Sequence, residues 1–196
     1  MNMPRSNRRL EKIRGVLARR QPGLTVVMEN IHDPHNVSAV FRSCDAVGVL
    51  RVELLYTQEK FPRIGKKSSS SANKWLECRR HHSVDECYRV LHDEGFRIYA
   101  THLGGASVSL YDLDLTQRSA LVFGNEHRGV SDEAAAKADA NFQIPMVGMI
   151  QSLNVSVAAA VSLYEALRQR LAHGDLDRLG LPPDHMAVLY EEWTSR

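Results

Sequence analysis

Apolar positions along the chain follow two rhythms. From Ser6 to Arg20 they recur at steps of three and four, at Leu10, Ile13 and Leu17, with arginine on most other faces. This spacing predicts an amphipathic helix, N-capped by Ser6 and ended by Pro22-Gly23. Leu24–Met28 is a short unbroken apolar run with β-branched residues, as expected of a buried strand. Glu29–Asn36 (ENIHDPHN) is a loop, because Asp33-Pro34 disfavours helix there. A helix is expected over Val37–Val47, stopped by Gly48, and a strand over Val49–Tyr56.

The stretch from Thr57 to Ala72 holds basic residues, a proline, a glycine and four consecutive serines, and is expected to be a mobile loop. Ser83 caps a helix through Glu94, ended by Gly95. Further strands follow at Phe96–Leu103, Ala120–Phe123 and Phe142–Pro145. Ser131 opens an alanine-rich helix, Asn154 a long one, and Pro182-Pro183 sets off a short last helix that contains Trp193. Strands alternating with helices imply an α/β fold with a mainly parallel sheet flanked by helices. Ligands of such sheets bind beyond the carboxyl ends of the strands. Three polar loops fall there: ENIHDPHN, GNEHRGVS from Gly124, and PMVGMIQSLN from Pro145.

Charge adds a partner to this picture. The chain of 196 residues nets only +2, but residues 1–20 and 60–80 each net +6, which leaves the remainder acidic. Two basic blocks on an acidic body point to a polyanion, with a basic tail and a solvated loop as the plainer alternative. Cys44, Cys78 and Cys87 are scattered and odd in number, which suits reduced thiols in the cytosol. No apolar run is long enough to span a membrane, and residues 1–5 do not resemble a signal peptide.

The chemistry-bearing residues read differently taken one by one. The glycines of Gly124–Gly129 let backbone approach a ligand, but the loop is neither G-x-G-x-x-G nor a P-loop, so nucleotide chemistry of those kinds is unsupported. Asn154 suits an N-cap as well as a site, whereas Ser152 has no structural duty. Arg42 suits phosphate recognition or a surface ion pair equally. His32 and His35 lack further ligands for a metal. His81-His82 extends the basic patch. Tyr190 and Trp193 anchor a tail helix, base stacking being the alternative.

In this order, the segments NIHDPHNVSAVFR (Asn30 to Arg42), LVFGNEHRGVS (Leu121 to Ser131) and IPMVGMIQSLNVSV (Ile144 to Val157) resemble the SpoU branch of the SPOUT methyltransferases. The resemblance covers the whole chain. It implies a deep trefoil knot, S-adenosylmethionine (AdoMet) as methyl donor without a metal, a homodimer, and 2′-O-methylation of tRNA at guanosine 18 of the D-loop. It places catalytic roles on Arg42, Asn36, Glu126, Ser152 and Asn154. Donor-binding positions fall, largely through backbone groups, on Thr101, Gly124, Ile144, Met146, Ser152 and Leu153. Cationic positions expected to meet RNA are Arg8, Arg9, Arg19 and Arg20 in the first helix, with Lys66 and Lys67 in the basic loop. The implied division is a basic helical extension over 1–22, the methyltransferase domain over 23–172 and a tail helix over 173–196. A relative acting on rRNA or on the tRNA anticodon, and a non-catalytic RNA-binding module, stand as alternatives.

Overall fold

The computed structural model describes residues 7–62, 72–174 and 180–196. Seven parallel strands form one sheet: β1 (Leu24–Glu29), β2 (Arg51–Leu55), β3 (Glu77–His81), β4 (Arg97–Thr101), β5 (Val108–Ser109), β6 (Ser119–Phe123) and β7 (Ala140–Gln143). Their order across the sheet is β3-β2-β1-β6-β4-β7-β5. β6 therefore enters between β1 and β4, pairing Val27 with Val122 on one side and Ala100 with Val122 on the other. β1 and β6 are buried along their whole length, as central strands of a sheet covered on both faces must be.

The helices are α1 (Asn7–Leu17), α2 (Pro34–Val47), α3 (Val84–Asp93), α4 (Asp132–Lys137), α5 (Val155–His173) and α6 (Pro183–Ser195). α2 and α5 pack on one face of the sheet, where Val40, Phe41 and Cys44 meet Ala159, Leu163 and Ala166 in the main core. α3 and α4 cover the other face, with Tyr88, Leu91 and Ala134 against Val27, Ile98 and Val122. α1 and α6 pack on each other through Ile13, Leu17, Leu189 and Trp193, together with Leu50 and Trp75. Leu50 and Trp75 precede β2 and β3, so this terminal pair sits at the amino edge of the sheet.

Three sequence expectations change. α2 begins at Pro34 rather than Val37, because proline fits the first helical turn and the Asp33 carboxylate accepts from the His35 N–H at 2.8 Å. Asn36 thereby lies in a helix. β3 was not expected: its residues are polar, and only its fifth is buried. It is an edge strand, fastened by a buried carboxylate. Glu53 of β2 is fully buried and accepts from Arg79 Nε at 2.8 Å and Arg51 Nε at 2.9 Å, with His81 Nε2 at 2.7 Å. His81 is accordingly buried and does not extend a basic patch.

The third concerns Arg20, expected to meet RNA. It is 1% exposed. It donates to the carbonyls of Val49 at 2.8 Å and Trp75 at 3.1 Å, pairs with Asp45, and lies over the Trp193 ring at 5.1 Å. A guanidinium so used is a structural tie between the terminal helices and the sheet, and no phosphate reaches it. Arg8, Arg9 and Arg19 remain exposed. Trp193 is buried against Trp75, with ring centroids 5.0 Å apart, and so anchors α6. Ser6, Lys66 and Lys67 lie outside the described residues.

Candidate active site

Beyond the carboxyl ends of β4, β6 and β7 lies a cavity of about 520 Å³, within the size range of small-molecule sites. Its floor is the loop after β6. Gly124 is required there, since a Cβ would stand 2.1 Å from the Gly129 carbonyl group. Asn125 and Gly129 exchange backbone hydrogen bonds at 3.0 and 2.8 Å and close the loop on itself. The Asn125 side chain accepts from the His127 N–H at 3.0 Å and donates to the Asn30 carbonyl at 2.8 Å. The loop is thus bolted to the one that follows β1.

Glu126 projects from this floor into the first turn of α2. Its Oε1 accepts from the Asp33 N–H at 3.0 Å and from Asn36 Nδ2 at 2.9 Å, and its Oε2 from the His32 N–H at 3.0 Å. Burial opposes the charge, but the bonds from Asn36, His32 and Asp33 outweigh it and hold the carboxyl below its ordinary range. Asn36 is oriented in turn: its Oδ1 accepts from Asn154 Nδ2 at 3.1 Å. Asn154 also caps α5, accepting from the Ser156 N–H at 2.9 Å. It therefore meets both readings of the sequence, a cap and a member of the cluster.

Ile144, Met146, Gln151, Ser152 and Leu153 form the opposite wall. Among the described residues, no backbone group of residues 144–153 is paired with another backbone group, and Ser152 makes no hydrogen bond. Residues 147–153 are exposed and the Gly148 carbonyl accepts from Gln151 Nε2 at 3.1 Å; the remaining backbone groups of the segment are open to a ligand. All six expected donor-binding positions, Thr101, Gly124, Ile144, Met146, Ser152 and Leu153, line the cavity, as do Glu126 and Asn154. The Thr101 hydroxyl donates to the Val122 carbonyl at 3.0 Å, so toward a ligand its side chain can only accept.

Asn36 reaches the cavity through its two partners. Arg42 does not line it: six residues further along α2, it is exposed and makes no hydrogen bond or ion pair among the described residues. Two residues were missed by sequence reasoning, Asn30 and Asn125. Both act through side-chain amides bonded to backbone groups, which composition does not announce; their places inside the first two motifs were the only signal. Among the described residues no group of three His, Cys, Asp or Glu side chains is placed to hold a metal ion.

Residues 23–164 match the SpoU rRNA Methylase family. The chain belongs to that family. It is 46% identical over 189 residues to a SpoU relative from Thermus thermophilus, the tRNA (guanosine(18)-2′-O)-methyltransferase, spanning 96% of this chain and 97% of that one. The A. aeolicus TrmH/SpoU tRNA modifying enzyme superposes with a TM-score of 0.89 at 38% identity, covering 96% and 95% of the two chains. The SpoU methyltransferase AviRb from Streptomyces viridochromogenes, solved in complex with the cofactor AdoMet, matches with a TM-score of 0.69 at 28% identity, covering 78% of this chain and 60% of that one.

Proposed function

We propose that the protein methylates the ribose 2′-hydroxyl of guanosine 18 in the D-loop of tRNA, with AdoMet as donor. The observation that carries this reading is the Glu126–Asn36–Asn154 cluster set against a cavity whose far wall offers unpaired backbone. The near full-length likeness to the Thermus enzyme supports the substrate.

The cavity suits AdoMet. Leu103, Ile144 and Leu153 offer apolar surface, while Thr101, Ser152 and the backbone of residues 144–153 offer polar groups. Bound there, AdoMet supplies a methyl carbon made electrophilic by its positive sulfur. The rest falls to side chains of the chain itself. The 2′-oxygen must be aimed at that carbon and must lose its proton. Glu126 is occupied by three donors and holds Asn36 in place instead of taking the proton. Asn36, Ser152 and Asn154 orient the ribose. Arg42 stays protonated, as arginine does in proteins. From the exposed face of α2 it acts as a permanent cation that holds the neighbouring phosphate and, with RNA bound, stabilises the developing alkoxide. The proton leaves to a phosphate oxygen or to water.

The C-terminal segment forms the family's trefoil knot. The entry of β6 between β1 and β4, and the cavity walled by the loops after β6 and β7, support that path. The assembly is a homodimer in the cytosol. Val157, Tyr164 and Leu171 stand seven residues apart on α5, and each is roughly half exposed, at 46, 54 and 58%. They make one apolar stripe on the side of α5 opposite its core residues. The division into residues 1–22, 23–172 and 173–196 belongs to the same reading, the outer two parts serving tRNA capture.

The experiment is methylation of a tRNA transcript, followed by mapping of 2′-O-methyl groups. One group at guanosine 18, and none when that nucleotide is 2′-deoxy, is the expected result. Methylation at any other position, or on a base, overturns the reading.

A further inference from the structure

Among the described residues, Asn30 is the one non-glycine residue with positive φ, at 51°. Asparagine visits this left-handed region more readily than most side chains, but such a conformation persists only where its surroundings hold it. Every polar group of Asn30 is engaged. Its Oδ1 accepts from three successive N–H groups, those of Thr57, Gln58 and Glu59, at 3.0, 3.1 and 3.1 Å. Its Nδ2 donates to Thr57 Oγ1 at 3.1 Å, and its N–H to the Leu55 carbonyl at 2.9 Å. Its carbonyl takes the Asn125 bond already described. One residue, 5% exposed, ties the loop after β1 to the turn after β2 and to the floor of the site.

That turn carries Glu59, whose carboxylate meets Arg128 at 2.9 Å and His32 Nδ1 at 3.6 Å. Arg128 lines the cavity and is half exposed, so it stands at the rim. Thr57 and Gln58 are exposed; the apolar anchors lie at the two ends of the turn, where Tyr56 and Phe61 pack on the main core with ring centroids 5.2 Å apart. From Lys60 onward the chain enters its second cationic stretch. Between those anchors, the Asn30 amide fixes the backbone of residues 57–59.

We propose that Asn30 is a positioning residue for RNA capture. By fixing the turn at residues 57–59 it sets the Glu59–Arg128 clasp at the cavity rim. This rests on the tRNA reading above, and it assigns Asn30 to substrate binding, apart from methyl-donor binding and turnover.

Three substitutions separate conformation from hydrogen bonding. Asn30→Gly accepts the left-handed backbone but lacks the acceptor. Asn30→Asp keeps an acceptor for all three N–H groups, and Asn30→Ala loses both. With three bonds gone, Asn30→Gly raises the tRNA KM by about tenfold or more, while kcat and AdoMet affinity stay within about twofold of wild type on the same scale. Asn30→Asp restores most of the loss, and Asn30→Ala is the weakest. Amide hydrogen exchange at residues 57–59 accelerates in Asn30→Gly without any substrate present. An unchanged KM overturns the proposal, as does a parallel fall in kcat and AdoMet affinity, and so does failure of Asn30→Gly to fold. If wild type methylates no tRNA, the functional reading fails, yet the exchange measurement still decides whether Asn30 holds the turn.

Discussion

Arg42 and Glu126 sit at opposite extremes of engagement, and that contrast predicts different failures. Among the described residues Arg42 makes no hydrogen bond or ion pair, so the fold does not lean on it. Arg42→Ala should leave unfolding and AdoMet binding nearly unchanged. A charge-assisted bond contributes roughly 1.5–3 kcal/mol, so its loss from the transition state lowers turnover by about tenfold to a hundredfold or more. Single-turnover methylation compared with donor binding checks this. Glu126 is the reverse, a carboxylate with three donors and a depressed pKa. A depressed pKa contributes stability above the unfolded value, near 4.5, and loses it as pH falls through the folded value. Glu126→Gln presents an amide donor to groups that already donate. The stability gap between wild type and Glu126→Gln should therefore be widest at neutral pH and shrink as pH falls below the ordinary carboxyl value of 4.5. Urea unfolding at several pH values measures it, and a gap that widens in acid would sink the assignment.

Among the elements, α1 and the turn that follows it divide their arginines between two tasks. Arg8, Arg9 and Arg19 are exposed, whereas Arg20 is buried in the joint between α1, α6 and the sheet. Changing the first three to alanine should lower the slope of log affinity for tRNA against log salt by about 0.7 per contact, about two units in all. Arg20→Ala should leave that slope alone and cost about 3 kcal/mol of stability, as breaking a buried pair does. Titrations at several salt concentrations, beside denaturant curves, distinguish the two. Arginine count alone made Arg20 look like its neighbours; only the partners supplied by Val49, Trp75 and Asp45 separate them. The same limit explains the strands. β1, β6 and the helix capped by Ser83 were legible because apolar rhythm and capping chemistry are local. β3 was not, since Glu-Cys-Arg-Arg-His is held by the distant Glu53 and not by its own hydrophobicity. In the site, loop chemistry and family likeness together pointed to Glu126, Ser152 and Asn154, and all three line the cavity. The duties of Asn30 and Asn125 were not, because a side chain that caps another loop leaves no periodic trace.

Seen whole, the molecule keeps its cavity at the carboxyl edge of the sheet and its α1–α6 pair at the amino edge. A five-residue strand such as β2 puts roughly 16 Å between those edges. The apolar stripe of Val157, Tyr164 and Leu171 offers a way to bring a second copy alongside. Tyr164→Glu together with Leu171→Glu should convert a dimer to a monomer in sedimentation at micromolar protein; if wild type already sediments at 22.1 kDa, the stripe has another use. The opposed edges carry a further consequence for how labour is shared. If RNA held on one copy's α1 is offered to the other copy's cavity, two differently crippled proteins can complement each other. Arg42→Ala lacks only chemistry, and the triple-arginine variant lacks only grip. Mixed and allowed to exchange subunits, they should regain tRNA methylation that neither shows alone, whereas additive residual rates would mean that each copy works unaided.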